Sequence, residues 1–423
     1  MTGSATYLEG KTATRVVLVF ATAYFLSYAL RAINAVIAPA LSSDLQLTNA
    51  DLGLLSSAYF VGFGSMQLPI GVWLDRYGSR RTESALLLFG AIGAAVFASS
   101  SSLPGLWLGR ALIGVGVSSC LMAALKAYRV WYAPDRQSQL ASWMLVFGTL
   151  GALASTVPVA LLLPLVGWRG VFWGMSVALL LSALLVYSRL RAAEQSMAPH
   201  APAAAGSGAG YLQIFGDRYF RRMALLGAAH QGGFMAMQSL WAGPWMTTVL
   251  GMSVEQTSQV LFVFNLCLML SYLTLSWWAP RHVSYGQRRG LPVLRVVAIG
   301  LGLSVMVQLL MLLLPFAWSW VLWIIFGAAI TVTTLAQTHV SLAFPPALAG
   351  RANSAFNLTL FIGAFSVQWG IGLLVDLFAA YGWSASMAMR MALGCYLLVQ
   401  VYALVMFIGN RKSSAPELGR LTA

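Results

Sequence analysis

Twelve stretches of this chain are apolar over roughly 20 residues or more, the length a helix needs to cross the hydrocarbon of a bilayer. No other feature restricts its fold as much. The stretches run near 15–41, 50–74, 82–101, 105–132, 139–165 and 168–188, and then near 219–249, 255–278, 291–314, 318–342, 351–378 and 383–409. The expectation is an all-α membrane protein with twelve transmembrane helices. Composition agrees, because 59% of the 423 residues are apolar and only 9% charged. A water-soluble chain of this size would carry nearly three times that share of charge, about 25%. The three cysteines, Cys120, Cys267 and Cys395, all lie inside apolar stretches and read as small core residues. The first apolar stretch lacks a small-residue cleavage site and reads as a retained helix.

The break between the sixth and seventh stretches contains MAPHAPAAAGSGAG, a Pro/Ala/Gly/Ser run with linker composition. It divides the chain into a six-helix bundle over 1–190, a cytoplasmic linker over 191–217 and a second six-helix bundle over 218–423. The halves echo each other weakly: YAPDRQSQLAS (132–142) and FPPALAGRANS (344–354) each precede a Gly-rich helix ending in Gly-Trp. A six-plus-six parallel repeat with pseudo-twofold symmetry is the arrangement expected. The formal charge of +14 would suggest nucleic acid if it clustered on a soluble face. Here the basic residues fall between apolar runs. With both termini in the cytoplasm, all 25 Lys and Arg except Arg31, Arg110, Lys126, Arg169 and Arg390 lie on the cytoplasmic side.

Between the second and third stretches stands GVWLDRYGSRR (71–81). It resembles the loop 2–3 signature of the major facilitator superfamily of transporters, Gly-x-Leu-x-Asp-Arg-x-Gly-x-Arg-Arg. Gly71 and Gly78 permit close helix approach and a tight turn, and Arg76, Arg80 and Arg81 anchor the loop at the cytoplasmic face. The resemblance implies that Asp75 latches the two halves in one conformation, with Arg129 or Arg136 as its partner. The second-half counterpart, APRHVSYGQRR (279–289), keeps Gly286 and the arginines but has no acid. LGRALIGVGVSS (108–119) is similar to the superfamily's fourth-helix pattern of Arg followed by Gly-x-Gly.

An ionisable residue inside a spanning helix costs about 2.5–3.5 kcal/mol on insertion scales, so each is a functional hypothesis. The sequence reads with all eleven acids, Glu83 included, in loops or at helix ends. Arg31 and Lys126 then stand as central cations with no carboxylate to match, which leaves room for an anionic substrate. Tyr24, Ser27, Tyr28, Arg31 and Asn34 form a polar stripe at helical spacing. The segment YALRAINAVIAPAL (28–41) looks like the first helix of organophosphate and organic-anion transporters. In those families the helix 1 Arg binds phosphate or carboxylate, a role the resemblance gives to Arg31. The chain departs from them in having Leu30 where proton symporters of organic anions often carry Asp, and in having no Arg in HQGGFMAMQSLWAGPW (230–245).

Further candidates for the substrate path are Tyr28, Asn34, His230, Gln231, Gln238, Asn265 and Asn357, each weighed against a helix-packing role. His230 is also the group that would carry a proton. No cofactor and no metal ligand set is expected. The reading that follows is a secondary transporter, not an enzyme, carrying a small organic anion, either a carboxylate or a phosphate ester. Protons are the possible coupling partner, and the chain is expected as a monomer in a bacterial-type inner membrane. Drug or metabolite efflux by proton antiport stays open, although FGTLGALASTVP (147–158) has Gly148 and Gly151 without the Gly-Pro element of that family. Copper(I) transport, suggested by Met235 and Met237 near His230, and a ligand sensor that does not transport are lesser alternatives.

Overall fold

Each of the twelve apolar stretches falls on helix in the computed structural model, which describes residues 7–196, 209–284 and 291–409. Among the described residues, nine helices are long and apolar enough to cross a membrane. The stretches missing from that set, 50–74, 139–165 and 219–249, are helical but broken. The second runs as Asn49–Ser65 and continues into Pro69–Ser99, and the fifth as Pro134–Ala154 and into Val157–Ser196. Those two long helices turn sharply at Gly78 (φ 78°) and Gly167 (φ 66°). Both turns are left-handed conformations that glycine adopts without a Cβ penalty, and each separates two spanning stretches.

The seventh stretch is irregular for a different reason. Between Arg218 and Val249 the helix widens three times into π-helical turns, at Gly227–Gly232, Met237–Trp241 and Trp245–Val249. A π turn trades i→i+4 for i→i+5 hydrogen bonds and is frequent at functional sites. Asp217 caps the start of this stretch, accepting from the Phe220 N–H at 2.8 Å. The eighth begins with a capping box, in which Ser253 and Gln256 exchange hydrogen bonds of 3.2 and 3.0 Å.

The outer faces of these helices are apolar. Leu165 is 78% and Leu398 69% exposed, with many large aliphatic and aromatic side chains beside them. In water so much apolar surface would drive association; in lipid it is the solvated surface. The protein is an integral, multi-pass membrane protein.

The chain divides into two compact units. The first comprises the described residues within 1–33 and 61–205, the second those within 34–60 and 206–423. Sequence order put segment 34–60 in the first half, whereas it packs in the second unit. Asp376 gives one physical reason. Its carboxylate accepts from the Asn49 N–H at 3.1 Å, the Asn49 side-chain amide at 2.9 Å and the Ala50 N–H at 2.7 Å. A carboxylate at a helix N-terminus satisfies donors that the helix itself leaves open and opposes the positive end of its dipole. Of the expected linker, 197–208 lie outside the described residues, while Ala209–Gly216 forms a short helix. A two-residue parallel bridge joins Val283–Ser284 to Leu291–Pro292. Gly286, Arg288 and Arg289 of the second-half signature lie outside the described residues, while Arg281 lies over the Trp277 ring at 4.6 Å.

Candidate functional site

The loop signature folds as a hairpin inside the first unit. Gly78 makes the turn, and a Cβ there would come within 2.9 Å of a Glu194 carboxylate oxygen. The Thr82 hydroxyl donates back across the turn to the Trp73 carbonyl at 3.1 Å. Buried Arg80 pairs with Glu194 at 2.5 Å, donates to the Tyr187 carbonyl at 3.3 Å and lies over the Tyr187 ring. Arg76 stacks on Tyr77 at 5.3 Å, while Gly71 and Arg81 are exposed.

Asp75 pairs with Lys126, at 2.5 Å, and not with Arg129 or Arg136. Both of those arginines are exposed. This corrects two expectations at once. The acid of the signature takes its partner one helical turn earlier than Arg129, and Lys126 is not a cation lacking a carboxylate. The pair is half-open to its surroundings, with side-chain exposures of 30% and 53%. Its direct contribution to stability is therefore about 0.2–1 kcal/mol. In a double-mutant cycle on reconstituted protein, Asp75→Asn and Lys126→Gln should each change the transport rate by a similar factor, about 1.4–5-fold for a coupling of that size. The double variant should be no worse than either single one; fully additive losses would show that the two side chains act separately.

Arg31 ends the Gly10–Ala32 helix, also in the first unit. Its guanidinium lies 3.8 Å from the centre of the Tyr28 ring, and Tyr28 meets Tyr24 edge-to-face at 4.9 Å. Both Arg31 and Tyr28 are half-buried. Space for the two rings comes from Gly148 on Pro134–Ala154, where a Cβ would lie 2.7 Å from Tyr24 and 3.1 Å from Tyr28. Ser27, on the same stripe, turns toward the Val117 carbonyl at 3.4 Å. Arg110 is fully buried, donating to the Leu30 carbonyl at 3.3 Å and lying beside the packed Phe97 and Phe172 rings.

In the second unit the polar residues sort into hydrogen-bonded groups. Gln238 donates to Asn265 at 2.8 Å, and the Asn265 amide donates to the Leu261 carbonyl at 2.8 Å. Gln337 donates to both Asn353 and Asn357, at 3.1 and 2.9 Å. Fully buried His230 faces the Gln400 carbonyl through Nε2 at 3.1 Å, so that nitrogen carries the hydrogen. Gln400 and Gln308 exchange amide hydrogen bonds of 2.7 and 2.9 Å. The Gln231 side-chain oxygen and the buried Asn34 oxygen have no hydrogen-bond partner among the described residues. Both remain available as acceptors.

Several of these residues escaped the sequence reading: Glu194, Gln308, Asn353, Gln400 and above all Glu83. The acids were all expected at helix ends or in loops, yet Glu83 is fully buried inside Pro69–Ser99. The helix restarts immediately after Gly78 and carries Glu83 inward. The polar ladder of the second unit had a signal in sequence, because an amide in an apolar stretch needs a partner. Which amides pair depends on packing between distant helices.

The Major Facilitator Superfamily profile matches residues 20–368. Two curated relatives are a probable sulfoacetate transporter of Cupriavidus necator, 25% identical over 149 residues, and a 4-hydroxybenzoate transporter of Pseudomonas aeruginosa, 27% identical over 274 residues. The matches cover 35% of this chain and 35% of the first relative, and 57% and 60% for the second, so each spans less than two thirds of the relative's length. Among solved structures, a bacterial homologue of the human lysosomal transporter Spinster superposes with a TM-score of 0.76. It is 16% identical, over 96% of this chain and 98% of that one, a likeness of fold.

Proposed function

The chain belongs to the Major Facilitator Superfamily, and from that premise we propose that this transporter carries a small organic anion, a carboxylate or a phosphate ester, by alternating access. The observation that carries this reading is the Arg31 guanidinium carbon held over the Tyr28 ring, 3.8 Å from its centre, within an apolar helix. A stacked guanidinium keeps its fork of N–H donors oriented for two oxygens of one acid group. The Tyr24–Tyr28 pair beside it offers an apolar wall to the rest of an organic acid. The names of the two relatives, which point to sulfoacetate and 4-hydroxybenzoate, support the same class.

In this reading alternating access opens the substrate path first to one side of the membrane and then to the other. Tyr28, Arg31 and Asn34 contribute from the first apolar stretch, His230, Gln231 and Gln238 from the seventh, and Asn265 and Asn357 from the eighth and eleventh. Lys126 serves Asp75 in the latch. The protein works as a monomer in a bacterial-type inner membrane with both termini cytoplasmic.

The test is a thermal-shift screen of purified protein against sulfoacetate, 4-hydroxybenzoate, hexuronates and sugar phosphates. A bound anion at 100 times its Kd should stabilise the folded state by about 2.7 kcal/mol. Stabilisation by lipophilic cations and by none of the anions would overturn the reading in favour of drug efflux.

A further inference from the structure

Glu83 follows the Gly78 turn and Arg80 on the helix that reaches to Ser99, and it is sealed. Its exposure is 0%, and neither carboxylate oxygen has a hydrogen-bond partner among the described residues. The helix that carries it packs closely against two others further along its length. On one side the backbones of Gly90 and Gly116 nearly touch: a Cβ on Gly116 would fall 2.3 Å from Gly90 Cα. On the other, the Ser176 hydroxyl donates to the Ala91 carbonyl at 2.8 Å, and Arg80 reaches the Tyr187 carbonyl. Thr82 and Ser84, which flank Glu83, give their hydroxyls to the Trp73 and Arg81 carbonyls, at 3.1 and 3.2 Å.

The charged and titratable groups of the surrounding helices are engaged elsewhere. Arg80 pairs with Glu194 on Val157–Ser196, next to Tyr187, and Lys126 pairs with Asp75. Arg110, the ionisable residue of Leu103–Val117, donates to Leu30 and lies against Phe97 and Phe172. Arg129, Arg189 and Arg191 are exposed, and Arg169 lies over the Trp168 ring. Across the helix packing, Glu83 interacts electrostatically with Cys120 and Tyr128, both on Cys120–Trp131. The Tyr128 hydroxyl is directed to Met144 Sδ at 3.2 Å. Neither group supplies positive charge.

A buried polar group without a partner costs about 1–3 kcal/mol by mutational measures, and an isolated ionised carboxylate far more. A leucine would fill the same space with no such cost. An ionisable residue at membrane depth is functional until shown otherwise. We propose that Glu83 is a proton-binding site of the first unit, through which proton binding is coupled to helix packing. A carboxylate oxygen forms an O–H bond as a hydronium ion gives up its proton and becomes water; release reverses both changes. The neutral acid is compatible with the closed packing around Gly90–Gly116. The ionised form requires water or a cation, so proton loss favours loosening of the same contacts. The coupling half of the proposal rests on the transporter reading above.

The binding half is tested without any substrate. Infrared difference spectra between acidic and alkaline buffer, recorded on wild type and Glu83→Gln in liposomes, report the carbonyl band of a titrating carboxylic acid. Wild type should show a carbonyl component, at the high frequency of a carboxylic acid without hydrogen bonds, that is missing from the remaining acids' signal in Glu83→Gln; identical spectra would overturn the proposal. Should Glu83→Gln fail to fold, Glu83→Leu, which suits an apolar pocket, carries the same comparison. For the coupling half, 4-hydroxybenzoate is the probe and an inward proton gradient the driving force. Accumulation is expected in wild type and should be lost in Glu83→Gln, with exchange of internal for external probe retained. Gradient-driven accumulation that survives in Glu83→Gln would also overturn the proposal. A wild type that does not move the probe would count against the anion reading and leave the infrared result to decide on Glu83.

Discussion

Replacing Arg31 with Gln should abolish the thermal shift produced by the best anion of the screen and cut its transport by about 30–4,000-fold. The range follows from the 2–5 kcal/mol lost when one partner of a buried, hydrogen-bonded charge pair is truncated, at 1.4 kcal/mol per factor of ten. Gln matches much of the side chain's length but has neither the charge nor the planar fork. Arg31→Lys separates those two losses. It keeps the charge as a compact ammonium that cannot present two parallel donors or lie flat on Tyr28, so its binding should fall between wild type and Gln. Tyr28→Leu asks the complementary question, removing the ring on which the guanidinium rests. Binding should weaken through loss of orientation while the charge stays. Arg31→Gln should still insert and purify, because removing a charge from a spanning helix lowers the cost of insertion; Arg31→Lys and Tyr28→Leu leave that cost unchanged and should purify as wild type does. Equal anion-induced shifts in wild type and Arg31→Gln would remove the anion site from this helix. Loss of the folded protein on Arg31→Gln would make Arg31 a packing residue.

The Arg31–Tyr28 contact could be read from sequence because it is local: residues three apart on one helix face each other. The twelve apolar stretches were legible for the same reason, since hydropathy over about 20 residues is a property of each stretch alone. What escaped the sequence depends on residues far apart in it. Asp75 and Lys126 are 51 positions apart and Asp376 and Asn49 are 327 apart, so no spacing rule points from one to the other. The membership of segment 34–60 in the second unit hangs on contacts of that kind. Glu83 was misplaced by a local rule applied too far. Its position beside the loop signature is compatible with a helix end, but the left-handed turn at Gly78 is so tight that helix resumes before Glu83 is reached. The three π turns in 218–249 left no mark on composition, though they rotate the helix face that carries His230, Gln231 and Gln238.

Gly148 and Gly151, three residues apart on Pro134–Ala154, should respond to substitution in different ways, and the difference bears on how Arg31 is held. At Gly151 a Cβ would stand 2.1 Å from the Phe25 carbonyl oxygen and 3.1 Å from Phe25 Cα. Those are backbone atoms of the Gly10–Ala32 helix and cannot yield without moving the helix. Small residues permit this approach between membrane helices, where van der Waals packing drives association. Gly151→Val should therefore force the two helices apart, costing about 1–3 kcal/mol or more in overpacking. Lower yield and a clearly reduced melting temperature are expected even without ligand. At Gly148 the atoms in the way belong to the Tyr24 and Tyr28 rings, at 2.7 and 3.1 Å. Rings can tilt, so Gly148→Ala should fold with little loss of stability. The tilt displaces the surface under the Arg31 guanidinium, and anion affinity should fall by about tenfold, equivalent to 1.4 kcal/mol. Melting curves with and without the anion separate the two cases, since Gly151→Val lowers both curves and Gly148→Ala narrows the gap between them. If Gly148→Ala bound the anion as tightly as wild type, the tyrosine pair would have no part in orienting Arg31. The glycine would then serve helix packing alone.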